Sequence, residues 1–195
     1  MRKYKESKRK QLIIVVFMSV IMVFSVFGII FYGFNPESKL KYKKFNFNRK
    51  DYGWSILINK KETVFDYFPT EVTDIKIEEN VIDRISNSLE IDATYDTNVS
   101  YADDIATAQY SMQEIIGSHF NIYIRLGVTT DDIYNFPIIT CNESTDFIPV
   151  IYFKESNETK VYLDGNCIIA EIKDSYDAAR IKDRLLYGLF GIIEG

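Results

Sequence analysis

In this chain of 195 residues, few side chains can do chemistry: two cysteines, one histidine and a surplus of carboxylates. Cys141 closes the run FPIITC and Cys167 opens CIIAEI, which puts both at the ends of expected strands. A thiol can act as nucleophile, metal ligand, half of a disulfide or small apolar filler, and its compartment decides among these. No C-x-x-C is present. A structural zinc site wants four ligands, more than two cysteines and one histidine supply without carboxylates. In an oxidising compartment the even count predicts a Cys141–Cys167 bridge. In a reducing one the same residues are two unrelated apolar thiols.

His119, in GSHF, directly follows Ser118. Sequence neighbours do not make a catalytic triad, which needs convergence in space. The chain also lacks a G-x-S-x-G elbow, a phosphate-cradling glycine loop and a dinucleotide fingerprint. His119 is therefore expected as a cap or surface residue at a helix end. The acids fall as Asp103-Asp104, Asp131-Asp132, and Asp92 and Asp96 with Asn98. Acid–base catalysis uses two such groups. Consecutive acids, however, point to opposite faces of a strand or diverge by about 100° around a helix. The D-x-x-x-D-x-N spacing departs from the alternating ligands of an EF-hand loop. No catalytic residue, metal site or cofactor site is assigned. Asn-x-Ser/Thr triplets occur at Asn98, Asn142 and Asn157. Asn142 and Asn157 lie in expected turns and are the better candidate glycosylation acceptors, whereas Ser100 of the first triplet is expected as a helix cap.

The compartment question turns on LIIVVFMSVIMVFSVFGIIFYGF, Leu12 to Phe34, which is 23 residues without a charge. As a helix it measures roughly 34 Å, enough for a hydrocarbon core of about 30 Å. A cleaved signal core is shorter and ends in a small-residue site that Tyr32-Gly33-Phe34-Asn35-Pro36 does not offer. Residues 12–34 are thus expected to be a transmembrane helix whose partner is the lipid bilayer, ended by Asn35-Pro36. A basic block before an apolar helix resembles the start of type IV pilin precursors. Here Lys10 stands where that pattern has a small residue, so nothing is carried over.

Both flanks are basic. Residues 1–11 and 35–50 each carry six Lys or Arg against one Glu. The amino-terminal cluster abuts the apolar run and the other begins beyond it. That favours a basic cytoplasmic tail over 1–11 that touches anionic lipid headgroups, with the carboxy-terminal part outside. Residues 35–44 are expected to be a juxtamembrane stalk, and 45–195 an extracytoplasmic domain. From 51 to 195 there are 11 basic and 26 acidic side chains, a net of −15, which argues against a nucleic-acid partner.

That stretch is the length of one domain with a single core. GWSILIN and TVFDYF alternate as a hairpin across Asn59-Lys60-Lys61-Glu62, with Trp54, Ile56 and Ile58 facing Phe65 and Tyr67. FIPVIYF, TKVYL and CIIAEI read as a three-stranded meander buried on both faces. A capping box from Ser100 to Asp103 opens a helix with Ile105, Ala108, Met112 and Ile115 on one stripe, stopped by Gly117. A second helix starts at Asp174 or Ser175 and turns Ala178, Ile181, Leu185 and Leu189 inward. Asp177, Arg180, Lys182, Asp183 and Arg184 are expected in water. A weaker helix covers Glu78 to Leu89, and the terminal GLFGIIEG is expected to tuck under the sheet. The fold class is α+β: one transmembrane helix, then one mixed-sheet domain with about three helices and seven or eight strands.

These features imply a membrane-anchored, non-enzymatic binding or assembly component of the cell envelope, with an unidentified envelope protein or ligand as partner. The alternative is an anchored hydrolase using Asp/Glu side chains with a divalent metal, which needs several acids to converge in one cleft.

Overall fold

The computed structural model describes residues 2–33, 39–130 and 135–194, with side chains of 12–27 in the first stretch. Two compact units result, and the second begins at Lys39. The first is helix α1 (Arg2–Gly33), whose described side chains are exposed. The hydroxyl of Ser19 donates to the Val15 carbonyl (2.9 Å), so that polar group is satisfied within the helix itself. Among the described residues no helix is long and apolar enough to cross a membrane. Phe34 to Ser38, including the expected Asn35-Pro36 stop, lie outside the described residues.

The second unit is α+β with two sheets. The first is an antiparallel meander of β1 (Lys39–Tyr42), β2 (Phe45–Lys50), β3 (Gly53–Ile58) and β4 (Lys61–Phe65), paired in that order. Residues 39–42 of the expected stalk thus belong to the folded unit, pairing Tyr42 with Phe45 and Leu40 with Phe47. Apolar residues at alternating positions gave that stretch a strand's pattern beneath its lysines. The expected β3–β4 hairpin forms, but with a tighter connection. Lys61 and Glu62 belong to β4, Trp54 lies opposite Phe65, Ile56 and Ile58 face Thr63 and Lys61, and Tyr67 falls beyond the strand. Its two-residue turn, Asn59-Lys60, has φ of 51° and 66°, the positive pair that a type I′ turn needs. Gly53, at φ 137°, lies so close to β4 that a Cβ would sit 2.2 Å from the Phe65 carbonyl oxygen.

The chain continues through β5 (Lys76–Ile77), α2 (Val81–Ser86), β6 (Glu90–Tyr95), α3 (Ala102–Phe120), β7 (Tyr123–Leu126), β8 (Val150–Glu155), β9 (Lys160–Asp164), β10 (Cys167–Ile172) and α4 (Asp177–Leu189). The second sheet is ordered β5-β9-β10-β8-β6-β7. β10, β8, β6 and β7 run parallel, and α3 is the crossover joining β6 to its parallel neighbour β7. The expected meander is corrected here. β9 pairs antiparallel with β10, but β8 pairs with β10 in parallel, so β10 separates the other two. Unbroken apolar runs mark strands buried on both faces, as β10 is throughout, and such strands are commonest in parallel pairing, so the runs argue against a meander.

Helix α3 begins at Ala102 after Tyr101, with no side-chain cap, so the Ser100–Asp103 box does not form. Asp103 and Asp104 instead place negative charge in the first turn, against the helix dipole. The helix passes through Gly117 and ends at Asn121, whose φ of 56° is the left-handed conformation asparagine tolerates.

One apolar core runs through both sheets and the helices between them, from Phe47 and Phe65 to Ile91, Ala93, Ile168 and Ala170. Tyr187 of α4 stacks on Phe65 at 4.3 Å between centroids and meets Phe47 edge-on at 6.1 Å. Ile192 and Ile193 are buried, so the carboxyl end does tuck in. A smaller cluster of Ile139, Val150, Cys167 and Ile169 lies on the opposite face of the six-stranded sheet.

The largest departure is α4. Asp177, Lys182, Asp183 and Arg184, expected in water, are all buried, and Arg180 is partly so. Ala178, Ile181 and Leu185 of the apolar stripe enter the core, and the polar side is covered too: Lys182 and Asp183 meet Asp66 and Tyr67 just after β4, and Asp177 meets Thr159 and Lys173. A helix covered all round carries no solvent face, whatever its pattern.

Candidate functional site

Cys141 and Cys167 are joined in a disulfide, with Cα atoms 5.4 Å apart. Cys167 opens β10 as expected. Cys141 instead begins a 3-10 turn (Cys141–Glu143), where the Glu143 carboxylate accepts from the backbone amide and hydroxyl of Thr140 (2.7 and 2.6 Å). The bridge pins the segment after β7 to the outer face of the six-stranded sheet. Asn142 and Asn157 are exposed. Asn98 spends its side-chain amide on Asp96 (3.0 Å).

The carboxylates are dispersed and paired. Asp92 is buried on β6 and takes both oxygens to Arg125 of β7, 2.7 Å from Nε and 2.7 Å from Nη2. That bidentate contact holds the guanidinium above its ordinary pKa. Asp96 caps its own turn by accepting from the Asn98 amide (2.9 Å). Asp131 and Asp132 lie outside the described residues. Among the described residues no three His, Cys, Asp or Glu side chains gather in a way that could hold a metal ion.

Among the described residues of the second unit, three concave places carry polar side chains. The first is a polar cleft of about 380 Å³ between α3 and α4, lined in part by Asp66, Tyr67, Asp104, Thr107 and Tyr176. Behind it Lys182 Nζ lies 2.7 Å from Asp66 Oδ2 and 2.8 Å from Asp183 Oδ1, while Asp183 Oδ2 accepts the Tyr67 amide at 2.8 Å. Burial raises the Asp183 carboxyl to about 6 against the pull of Lys182. Burial pulls the Lys182 ammonium down, but Asp183 and Asp66 outweigh it and hold the group above its ordinary value. On the same helix Asp177 accepts from the hydroxyl of Thr159, the Lys173 amide (3.1 Å) and Arg180 (3.0 Å). Lys182, Asp183 and Asp177 are thus spent on partners within the fold, while Asp66 and Asp104 are the carboxylates that line the cleft itself.

The second is an open groove between β4 and α3 containing His119. Its Nε2 is 2.8 Å from the hydroxyl of Thr63, and its ring meets Phe190 edge-on at 5.1 Å. Burial, then Lys61, keeps the imidazole below its ordinary pKa. Thr63 is only 3% exposed, which shields its hydroxyl from a substrate. The pair is a part-buried contact between strand and helix, with His119 half-exposed near the end of α3.

The third is a pocket of about 160 Å³ at the carboxyl ends of β6 and β7, lined by Tyr95, Gln109, Tyr110, Leu126, Val128 and Phe136 among others. Gln109 is 1% exposed, and its Nε2 has no hydrogen-bond partner. The expected stripe of α3 omitted this residue, although position 109 lies four residues from Ile105 and three from Met112. A polar side chain on an apolar stripe was the available signal.

The fold and these sites define a two-sheet α+β domain with one disulfide and a small apolar pocket. Comparison with family models, with curated proteins and with solved structures finds no match.

Proposed function

We propose that the chain is a single-pass membrane protein that anchors through residues 12–34, keeps its basic amino terminus in the cytoplasm, and exposes its disulfide-bridged domain outside the cell membrane. There it acts by binding, as a ligand-recognising or assembly component of the envelope. The observation that carries this reading is the Cys141–Cys167 bridge, because such bonds persist in oxidising compartments. The charge-free run of 23 residues supports the anchor. Binding is favoured over hydrolysis because Asp92, Glu171, Asp177 and Asp183, the buried acids among the described residues, are each tied to a cation or backbone amide of the fold itself.

Protease added to sealed cells tests it. Loss of the carboxy-terminal domain with survival of the amino-terminal tail is the expected result, and the domain's survival until the cells are lysed sinks the topology. Co-purification from gently solubilised membranes then identifies the partner.

A further inference from the structure

We propose that the pocket at the carboxyl ends of β6 and β7 binds a small, neutral, largely apolar molecule of about single-ring size that offers one hydrogen-bond acceptor to Gln109. This goes beyond the envelope reading and stands without it, since every residue involved lies in the second unit.

Position comes first. Tyr95 ends β6, Leu126 ends β7, and α3 crosses between these parallel neighbours. In open α/β sheets ligands favour the carboxyl ends of the strands where the strand order reverses, and it does so beside β6, whose two neighbours are β7 and β8. The wall on the β7 side is fixed in place. The amides of Gly127, Val128 and Ile139 donate to Ala93, Pro137 and Val128 at 2.9, 3.0 and 2.8 Å. The approach there is close enough that a Cβ on Gly127 would meet Ile139 Cδ1 at 2.5 Å. Two residues beyond Ile139, the disulfide ties the segment to β10. A wall so anchored gives a pocket formed before its ligand arrives, which lowers the ordering cost of binding.

The lining sets the chemistry. No charged side chain is among the residues lining the pocket, so an ionised ligand would lose its hydration for nothing. Rings and aliphatic groups make up the walls, and the volume is close to that of a dry apolar cavity known to admit benzene, about 150 Å³. The Gln109 amide is the exception. It is almost wholly buried with Nε2 unpartnered, a state that folded proteins avoid unless the group has a use. A carbonyl oxygen in the pocket would satisfy it. Tyr110 and Phe136, 60% and 46% exposed, mark the open side.

The test uses the full chain in lipid nanodiscs, with empty discs as the partition control. Benzamide is the neutral probe and benzoate its charged isostere, both followed through the backbone amide resonances of Gly127 and Val128. Benzamide should shift these saturably, and benzoate should bind at least tenfold more weakly. Gln109→Leu should weaken benzamide at least tenfold, and Ala106→Leu, which fills the pocket from a half-buried position on α3, should abolish its binding. If Gln109→Leu fails to fold, Ala106→Leu decides alone. The proposal is overturned by any of four results: no saturable shift in the wild type, equal binding of benzoate, or unaltered benzamide binding in either folded variant.

Discussion

Lys182 Nζ lies 2.8 Å from the Oδ1 of its immediate neighbour Asp183, and both side chains are buried inside the domain, at 2% and 0% exposure. Adjacent residues on a helix diverge by about 100°, so the contact requires the lysine stem to wrap back while its head also reaches Asp66. Removing one partner leaves the other charge buried and uncompensated, which costs about 3–5 kcal/mol. Lys182→Met should therefore lower the denaturation midpoint sharply. Lys182→Met combined with Asp183→Asn should recover most of the loss. A single variant with unchanged stability would show that the ammonium is not held there.

The same carboxyl makes stability depend on pH. Its folded pKa is raised from 3.8 to about 6, so between those values the native state holds a proton that the unfolded chain has released. Stability from this group is greatest below about 3.8 and is lost as pH rises through about 6. Unfolding free energies measured across pH 4 to 7 should decline over that window in the wild type relative to Asp183→Asn. Parallel curves for the two proteins would remove Asp183 as the titrating group.

The disulfide closes a loop with a sequence separation of 26, worth about 3.5 kcal/mol of denatured-state freedom in the chain-entropy model. Reduction, or Cys141→Ser with Cys167→Ser, should lower the urea midpoint accordingly and loosen the segment from Gly127 to Cys141 first. Hydrogen exchange at the amides of Val128 and Ile139 reports the second effect. Equal protection in oxidised and reduced protein would mean that the strand contacts alone hold that wall.

The parts legible in the sequence were those set by local pattern. The alternation around Trp54, Ile56 and Phe65 gave the existence of the β3–β4 hairpin but not its register, which the two-residue Asn59-Lys60 turn sets, and the apolar spacing of Ile105, Ala108 and Met112 gave α3. The Cys141–Cys167 pairing was legible from the even count of two cysteines once an oxidising compartment was expected. What stayed hidden depends on the second partner of an element. Lys182 and Asp183 look solvated as long as α4 is given one buried face, and no local feature tells that the chain around the first sheet covers the other. Strand direction in β8 and β10 was signalled rather than hidden, since continuous apolar runs buried on both faces favour parallel pairing, and the short SNE and DG breaks that suggested a meander wrongly outweighed that signal. The pocket was half visible, because Gln109 interrupts an apolar stripe, but its walls come from four segments that only the fold brings together.

His119 supplies a second titration of the opposite sense. Burial first, then Lys61, lowers its folded pKa below 6.5, so the neutral ring is the form the fold prefers. The unfolded chain then binds the proton more readily, and this group's stability is fully present above about pH 6.5 and lost as pH falls through the folded value. An NMR titration of the ring should place its midpoint below that of a free histidine. His119→Gln, which can still bond the Thr63 hydroxyl, should abolish this part of the pH dependence while leaving β4 docked. A midpoint at or above the free value would contradict the part-buried placement of the ring beside Thr63.

Gln109 sets stability against binding. A buried amide donor without a partner carries a desolvation penalty of about 1–3 kcal/mol, and an apolar side chain of similar size carries none. Gln109→Leu should therefore raise the thermal midpoint of the empty protein even as it weakens benzamide. In a structural role the same substitution would destabilise, because a glutamine retained for its hydrogen bonds leaves those partners orphaned when removed. Melting curves with and without benzamide separate the two cases. A stabilised variant that gains nothing from the probe, beside a wild type that does, is the expected pair. A destabilised variant means that the amide serves the fold, and the unsatisfied donor then ceases to point to a ligand.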